Sequence, residues 1–235
     1  MKNRLRPGPW IADAYPLRRL AATVEAVAGR FFGRRAGMLV VDFGCGDAPY
    51  RPLFTAHGAQ YLDCDLPGSG AGCIFHPGQP VPVADQSADG VVSFQVLEHV
   101  WDLAWYLQEA RRMLKDDAVL ILSTHGVWPY HPHPGDFRRW TRPGLVREIE
   151  AHGFDVKENH ALVGPLAWTM LFQAMALGAV IGKLPLIGKP ASALIALISN
   201  PLLALADRIT PRQWANDNAA IYLIVASKKN TNGKL

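Results

Sequence analysis

Two glycines and two acids in the first third of the sequence are spaced for binding a nucleotide-like ligand. The segment VVDFGCGDAPY places Asp42 at the end of a strand-forming run, followed by Gly44 and Gly46. Glycines at such a turn let backbone N–H groups approach a ligand closely. About twenty residues further on, YLDCDL ends in Asp65, whose carboxylate can accept hydrogen bonds from ribose hydroxyls. A dinucleotide-binding loop would need a third glycine, and Pro49 stands in its place.

A second stretch, residues 124–141, reads THGVWPYHPHPGDFRRWT and is dense in side chains that can do chemistry. Histidine titrates near neutral pH and suits a general base, so His125 and His131 are the candidates. Asp136 and Arg139 either contact a ligand or form an ion pair that holds the loop. The spacing of His131, His133 and Asp136 matches no regular set of metal ligands, and we predict no metal site.

These residues need a scaffold, and the hydrophobic pattern predicts alternating strands and helices. We expect strands at 38–43, 61–66, 89–94, 119–123, 154–163 and 219–227, and helices at 17–32, 98–114 and from Thr141 to Gly153. Glu98 and His99 would then open the second helix and cap it. Strands that alternate with helices form a parallel α/β sheet. Ligands bind such sheets beyond the carboxyl ends of the strands.

Composition and cysteine usage narrow the class of protein. With 235 residues, 49% hydrophobic and 19% charged, the chain suits one sizeable globular domain. Its three cysteines are odd in number and lack C-x-x-C spacing, which argues against a disulfide framework and favours a reducing cytoplasm. No apolar stretch follows the early arginines, so we expect no secretory signal.

Four segments in sequence order resemble a known family. VVDFGCGDAPY, YLDCDL, PVPVADQSADGVVSFQVLEHV and EARRMLKDDAVLILSTHG look like the motif blocks of class I S-adenosylmethionine-dependent methyltransferases, particularly the type 11 group. They cover about residues 40–126. The resemblance implies a doubly wound, mostly parallel, seven-stranded sheet of the Rossmann-like methyltransferase fold. It also implies an enzyme that uses S-adenosyl-L-methionine and releases S-adenosyl-L-homocysteine.

The same resemblance implies roles for individual residues. Asp42 and the loop backbone would hold the methionine end of the cofactor, Asp65 the ribose, Cys64 and Leu66 the adenine, and Gln95 would line the sulfonium side. Cys45 and Tyr50 are candidates that would equally suit packing. The implied cofactor site comprises Asp42, Gly44, Cys45, Gly46, Tyr50, Cys64, Asp65, Leu66 and Gln95.

The loop 124–141 resembles the family's acceptor side, written H-x-x-P-x-D-[FY]-x-R-[FYW]-T. His125 and His131 stay the catalytic candidates because of their residue type. The residues of this loop that we expect to contact the acceptor are Trp128, Tyr130, Asp136 and Arg139.

Two segments lie outside the methyltransferase core, which we place at 37–163 with 217–228. Residues 1–36 form a basic amphipathic helical region, which suits an anionic membrane surface or a solvated helix face; we expect no nucleic acid partner. Residues 164–216 are an apolar helical insertion before the last strand, and stretches 161–182 and 190–206 are almost free of charge. Three arrangements of the insertion stay open: a helical cap or homodimer interface, a hairpin that dips into a membrane, and a double span.

The sequence therefore predicts an S-adenosylmethionine-dependent methyltransferase for a small or lipid-like hydrophobic acceptor, methylated on oxygen by in-line displacement. We expect it in the cytoplasm, with peripheral contact at the inner face of the membrane. One alternative is a non-catalytic, membrane-associated protein that keeps the cofactor-binding fold. The other is an NAD-dependent Rossmann enzyme, against which Pro49 counts.

Overall fold

A computed structural model of the chain describes residues 4–229. Its strands are β1 Leu39–Phe43, β2 Gln60–Asp65, β3 Cys73–Ile74, β4 Ala88–Phe94, β5 Leu114–His125, β6 Phe154–Leu162 and β7 Ile221–Lys228. Its helices are α1 Ala14–Phe32, α2 Arg51–Thr55, α3 Leu103–Met113, α4 Arg142–Ala151, α5 Pro165–Ile181, α6 Gly188–Ile209 and α7 Arg212–Asp217, with a short 3₁₀ helix at Leu97–His99.

The seven strands form one sheet in the order β3-β2-β1-β4-β5-β7-β6, with β7 antiparallel. At its centre, β1 pairs in parallel with β2 and β4, so that Asp42 lies opposite Asp63 and Val92. Strand β5 continues the parallel pairing beside β4. The carboxyl ends of β1, β2, β4 and β5 therefore meet at one edge of the sheet. The predicted fold class, with an apolar helical insertion before the last strand, is confirmed.

The central strands are continuous apolar runs because both of their faces are covered, as is usual in parallel sheets. Val40, Val41 and Phe43 of β1 are fully buried. The ring of Phe32, at the end of α1, packs edge-on against Phe54 of α2 with centroids 5.5 Å apart. Gly90 of β4 is required here, because a Cβ atom would lie 2.5 Å from the Phe32 ring.

The helix predicted at 98–114 begins later than expected. Asp102 is its N-cap and accepts a hydrogen bond from the backbone N–H of Trp105 at 3.0 Å. Val100 is extended and separates this cap from the 3₁₀ turn that contains Glu98 and His99. The expectation that these two residues open the helix was therefore wrong, because Asp102 supplies the capping carboxylate.

The chain divides into two compact units, one comprising the chain up to Val24 with Ala161–Ile221 and the other Glu25–His160 with the chain from Tyr222. The segments predicted from sequence, 1–36, 37–163 with 217–228, and 164–216, have different boundaries and stay a prediction.

Within the first unit, two polar side chains of α6, the buried Asn200 and the partly buried Asp207, hold neighbouring segments by hydrogen bonds. The Asn200 amide donates to the carbonyl groups of Pro9 and Ile11 and accepts from the Tyr15 N–H at 2.8 Å. Asp207 accepts from the Tyr15 hydroxyl and from the Gly164 N–H, both at 2.6 Å. These contacts fix the start of α1 and the start of α5 against α6.

The same unit exposes an extensive apolar surface. Helix α6 is long and apolar enough to cross a membrane by length and composition alone, and only 22% of its most apolar window is buried; α5 is apolar but shorter. We define the apolar face as the following side chains, each at least 46% exposed: Leu177, Val180, Leu184, Leu186, Ile187, Leu194, Leu197, Ile198, Leu202, Leu205 and Ile209. Large exposed apolar patches are rare on soluble monomers, so the predicted alternatives for this segment, a cap or homodimer interface and contact with a membrane, stay predictions.

Candidate active site

The loop between β1 and α2 is held firmly against the end of β2. The N–H groups of Gly44 and Cys45 both donate to the carbonyl oxygen of Cys64, at 2.8 and 3.1 Å. The N–H of Gly46 donates to the Asp65 carboxylate. The backbone donors that we expected to face a ligand are thus bonded within the protein. A ligand in this loop meets a preformed surface of carbonyl oxygens and carboxylates.

The two glycines of the loop have different requirements. Both have positive φ, +84° at Gly44 and +56° at Gly46. A Cβ at Gly44 would lie 2.7 Å from a methyl group of Val96, whereas a Cβ at Gly46 would have no atom within 4 Å. Gly44 is therefore needed for both conformation and space, and Gly46 leaves open room beside the loop.

We expect Gly44→Ala to lower the free energy of unfolding by about 2 kcal/mol or more, because backbone strain and the clash with Val96 add. Gly46→Ala should cost about 1 kcal/mol, but its methyl group should weaken cofactor binding. Urea unfolding and calorimetry with S-adenosylhomocysteine measure the two effects separately. Equal losses of stability in the two variants would contradict this assignment.

Asp65 stands where the ends of β1 and β2 meet. One carboxylate oxygen accepts from Gly46 N–H, and the other accepts from Leu66 N–H at 2.7 Å. The oxygen that accepts from Gly46 also accepts a long, weak bond from the Cys45 thiol at 3.9 Å. A carboxylate offers about four acceptor positions, so one is free and a second is taken only by the thiol. The side chain is only partly buried. Asp65 is therefore fixed in orientation, and two hydroxyl groups can bind it if one of them displaces the weak thiol contact.

Asp42 lies beneath the same loop and is 2% exposed. The hydroxyl of Tyr61 donates to its carboxylate. Burial raises the pKa of Asp42 to about 7, against the opposing effect of the Tyr61 hydrogen bond, and the nearby charges of Asp65 and Asp63 raise it further. The charge of this side chain thus changes near neutral pH.

Gln95 follows β4 with the left-handed backbone angle φ +58°. Its N–H donates to the Ser123 carbonyl oxygen at 2.9 Å, and its side-chain amide donates to the Ser123 hydroxyl at 3.0 Å. Left-handed backbone at a residue other than glycine is costly and occurs often at functional sites. Gln95 is thereby held at the same edge of the sheet as Asp42 and Asp65.

Three other predicted cofactor residues are buried side chains. Cys64 is fully buried, Tyr50 is 2% exposed with its ring edge-on to Phe94, and Cys45 is 6% exposed. Burial and the surrounding carboxylates raise the pKa of the Cys45 thiol well above its usual value, so this sulfur is a poor nucleophile. As contacts of the cofactor these residues stay predictions, which their burial does not favour. Leu66, by contrast, is partly exposed.

In the loop 124–141, Asp136 and Arg139 form a two-pronged ion pair. The guanidinium donates to both carboxylate oxygens, at 2.5 and 2.7 Å, and to the carbonyl groups of Trp128 and Pro129. Asp136 also accepts from the His131 N–H at 2.9 Å, and the Arg139 guanidinium holds the pKa of Asp136 far below its usual range. These bonds support the structural role of the pair, which is to hold the loop.

Glu98 is the residue that sequence reasoning missed. It is completely buried, and one of its oxygens accepts from the Thr124 hydroxyl at 2.7 Å. The other oxygen, Oε1, has no hydrogen-bond partner among residues 4–229 and lies 3.3 Å from Nε2 of His125. Burial raises the pKa of Glu98 to about 7 and lowers that of His125 well below its ordinary value.

The fold gathers three histidines around this carboxylate. The His99 and His131 rings have centroids 4.9 Å apart, the His125 and His131 rings 5.0 Å apart, and His125 stacks on Trp128 at 4.6 Å. We call Glu98, His99, His125 and His131 the Glu98 cluster. It unites both predicted catalytic histidines with two residues that the sequence had placed in a helix cap. Tyr130, a predicted acceptor contact, is 74% exposed.

This sheet order, with an antiparallel β7 and a glycine loop after β1, defines the Rossmann-like methyltransferase class. The family model described as "Methyltransferase domain" matches residues 13–162, more than half of the chain. The chain therefore belongs to this family.

Curated relatives agree with that assignment. A protein of Mycobacterium tuberculosis named "Probable S-adenosylmethionine-dependent methyltransferase" is 46% identical over 130 residues, 51% of this chain and 46% of the relative. One of Mycolicibacterium smegmatis with a similar name is 27% identical over 151 residues, 57% of this chain and 59% of the relative. The chain thus spans only about half the length of the curated relatives that it matches.

Solved structures with the same fold are more distant in sequence. The [4+2]-cyclase SpnF is 16% identical, with a TM-score of 0.59 over 89% of this chain and 81% of that one. A phosphoethanolamine N-methyltransferase of Haemonchus contortus is 15% identical, with a TM-score of 0.58 over 89% of this chain and 53% of that one. At these identities the likeness shows the fold alone.

This chain contains an S-adenosylmethionine-dependent methyltransferase domain, and the family match does not support the NAD-dependent alternative. The residues at the strand edge fit this cofactor. For a ribose diol, Asp65 has one free acceptor position and a second that carries only the weak bond from the Cys45 thiol. Open space lies beside Gly46, and Asp42 can carry the negative charge that an ammonium group requires.

Proposed function

We propose that the protein methylates an oxygen atom of a small, hydrophobic or lipid-linked acceptor. The observation that carries this proposal is the Glu98 cluster, a buried carboxylate with two predicted catalytic histidines beside it. The cluster follows β4 and β5, at the edge of the sheet where the cofactor loop also lies. Acid–base groups next to a cofactor loop suit a transfer in which the acceptor must lose a proton.

In this proposal Asp65 accepts hydrogen bonds from the ribose, Asp42 balances the charge of the methionine end, and Gln95 lines the sulfonium side. The cofactor supplies an electrophilic methyl group when bound. The loop that carries Gly44 and Gly46 and the carboxylate of Asp65 are bonded to each other already, so they orient the ligand without reorganising.

Of the two predicted bases, His131 is better placed to meet an acceptor. Its side chain is 28% exposed, whereas that of His125 is 6% exposed. Its Nδ1 faces the Pro129 carbonyl oxygen at 3.1 Å and the Asp136 carboxylate at 3.2 Å, with the Arg139 guanidinium further away at 3.5 Å. These contacts leave Nε2 for an acceptor hydroxyl. His125 contacts Glu98 and Trp128, so we assign it the role of positioning the cluster.

A hydrophobic acceptor is supported by the apolar face. Leu186, at the turn between α5 and α6, is 99% exposed, and its neighbour Ile187 is 62% exposed. Lys183 and Lys189 flank this tip, where their long side chains could reach lipid phosphates. Apolar tips framed by lysines are typical of proteins that rest on an anionic bilayer. We therefore propose peripheral contact with the cytoplasmic face of a membrane.

The double variant Leu186→Glu/Ile187→Glu is expected to bind vesicles of equal parts phosphatidylglycerol and phosphatidylcholine at least about 30-fold more weakly, since two large apolar side chains would no longer be buried in lipid. Cosedimentation measures the binding. Trp101→Glu, at a side chain 73% exposed in the other unit, is the control and should bind normally. The wild-type protein could instead fail to bind vesicles and form a dimer that the double substitution disrupts. That result would identify the apolar face as a homodimer interface.

The acceptor can be found by incubating cell extracts and lipid fractions with the protein and a methyl-labelled donor. We expect label in an apolar product, and none with Asp42→Ala. Release of labelled methanol from the product by mild alkali would identify a methyl ester. A product that resists alkali would be a methyl ether. Label on nitrogen or carbon would overturn the proposal of oxygen transfer. Tight binding of S-adenosylhomocysteine without turnover on any fraction would favour the non-catalytic alternative.

A further inference from the structure

We propose that Glu98, His99 and His131 form a binding site for a divalent transition-metal ion. Each of these residues offers one ligand atom, and the three atoms lie within 4.8 Å of one another. Tetrahedral zinc with bonds of about 2.1 Å separates its ligand atoms by about 3.4 Å, so small side-chain rotations would close the set. Two imidazoles and a carboxylate suit zinc, manganese or iron rather than magnesium or calcium.

The unpartnered oxygen of Glu98 is the first independent sign of a ligand. Glu98 is completely buried, and within the described part of the chain its Oε1 has no hydrogen-bond partner. This oxygen points towards the histidines, 3.3 Å from Nε2 of His125 and 4.0 Å from Nε2 of His99. A buried carboxylate is usually paired with a cation or coordinates a metal. Its other oxygen is already fixed by Thr124, so Oε1 is the atom left for a cation.

The orientation of the imidazoles is the second sign. Nδ1 of His99 faces the carbonyl oxygen of Gly135. Nδ1 of His131 faces the Pro129 carbonyl oxygen at 3.1 Å and the Asp136 carboxylate at 3.2 Å, both closer than the Arg139 guanidinium at 3.5 Å. Each ring therefore has one nitrogen engaged by an oxygen acceptor, which leaves Nε2 with a lone pair. Metal-binding histidines are held in this manner, with the second nitrogen donating to a carbonyl or carboxylate oxygen.

The Asp136–Arg139 ion pair would hold His131 in position for this site. It fixes the backbone of the loop that carries His131, and Asp136 also accepts from the His131 N–H. Residues from two separate segments, the turn after β4 and the loop after β5, are thereby held in one cluster. No regular ligand spacing could reveal this site from sequence, because Glu98 and His131 are separated by all of α3 and β5.

Three protein ligands leave a coordination position open, as in catalytic zinc sites. An oxygen atom of the acceptor is the ligand that would fill it, and the cation would lower the pKa of an acceptor hydroxyl. His131 would then act as a ligand instead of a base. This last step rests on the proposed methyl transfer, whereas metal binding itself does not.

The test is titration of the purified, tag-free protein with zinc against a chromogenic chelator. We expect one zinc ion per chain, and affinity reduced at least about tenfold in His99→Gln and in His131→Gln. His133→Gln, an exposed histidine of the same loop, should bind zinc normally. Visible absorption of the cobalt(II) form reports whether imidazoles are ligands. Calorimetry with S-adenosylhomocysteine confirms that each variant is folded.

Wild-type binding no tighter than that of His131→Gln would overturn the site, as would an equal loss in His133→Gln. Because zinc alone is the probe, neither result depends on knowing the acceptor. If zinc binds and chelation leaves turnover unchanged, the site stands and its link to methyl transfer falls.

Discussion

Replacing Asp65 by alanine is expected to weaken the binding of S-adenosylhomocysteine about 100-fold. Besides its bonds to Gly46 and Leu66, the carboxylate has one free acceptor position and a second that carries only the weak Cys45 thiol bond at 3.9 Å. It can thus accept two charged hydrogen bonds from the ribose hydroxyls, and each contributes about 1.5–3 kcal/mol. Losing both, together with the contact that holds Gly46, corresponds to at least two factors of ten. Isothermal calorimetry measures the change directly.

Asp63→Asn is the matched control for this prediction. Asp63 lies two residues earlier on β2, and its carboxylate binds Arg51 at 2.7 Å. We expect its substitution to change the affinity by less than about threefold, since exposed ion pairs contribute little. Equal losses at Asp63 and Asp65 would mean that negative charge near the loop matters, and not a specific carboxylate. Unchanged affinity in Asp65→Ala would remove Asp65 from the cofactor site.

Cofactor binding is also expected to depend on pH through Asp42. Burial raises the pKa of this carboxyl to about 7, and we propose that the ionised form is the one that binds the charged methionine end. Lowering the pH from 7.5 to 5.5 protonates Asp42, so the affinity for S-adenosylhomocysteine should fall roughly 20-fold. Calorimetry at several pH values in buffers of different ionisation enthalpy would also detect proton release on binding at pH 6.

Asp42→Asn imitates the protonated side chain. It should bind weakly at every pH and show no pH dependence over this range. If Asp42→Asn keeps the pH dependence of the wild-type affinity, a different group is responsible for that dependence. If the wild-type affinity for S-adenosylhomocysteine does not change between pH 5.5 and 7.5, the charge of Asp42 does not take part in binding.

The same pKa has a consequence for stability without the cofactor. Because the pKa of Asp42 is higher in the folded protein than its ordinary value of 3.8, the group stabilises the fold most at low pH. This contribution is lost as the pH rises from about 4 to about 7, and three pKa units correspond to about 4 kcal/mol at most. Asp42→Asn should therefore unfold at higher urea concentrations than the wild type at pH 8.

The cofactor side could be predicted from the sequence because its signals are local. Gly44 and Gly46 follow a continuous apolar strand, and Asp65 ends the next strand along the chain. Parallel pairing then brings these residues together without further information. The sequence did not indicate that the N–H groups of the loop bond to Cys64 and Asp65, since this depends on how closely β1 and β2 approach at their ends.

The acceptor side was predicted only in part. His125 and His131 were recognised by residue type, but Glu98 and His99 were interpreted as the start of a helix. The signal that could have corrected this is Asp102, a stronger N-cap residue placed just before the apolar periodicity of α3. The complete burial of Glu98 has no local signal, because it arises from the loop that closes over the turn after β4. A buried carboxylate is a property of the tertiary structure.

One further contact bears on turnover. The hydroxyl of Tyr106 in α3 donates to the carbonyl oxygen of Phe43, the last residue of β1, at 2.6 Å. It also lies 2.8 Å from the hydroxyl of Ser93 in β4. These hydrogen bonds link the end of β1 to α3 and β4. We expect a strand end held by these bonds to move little when the methyl group leaves. The spent cofactor differs from the donor by that single group and should be held nearly as tightly. We therefore expect product inhibition, with the rate in the cell governed by how fast S-adenosylhomocysteine is removed.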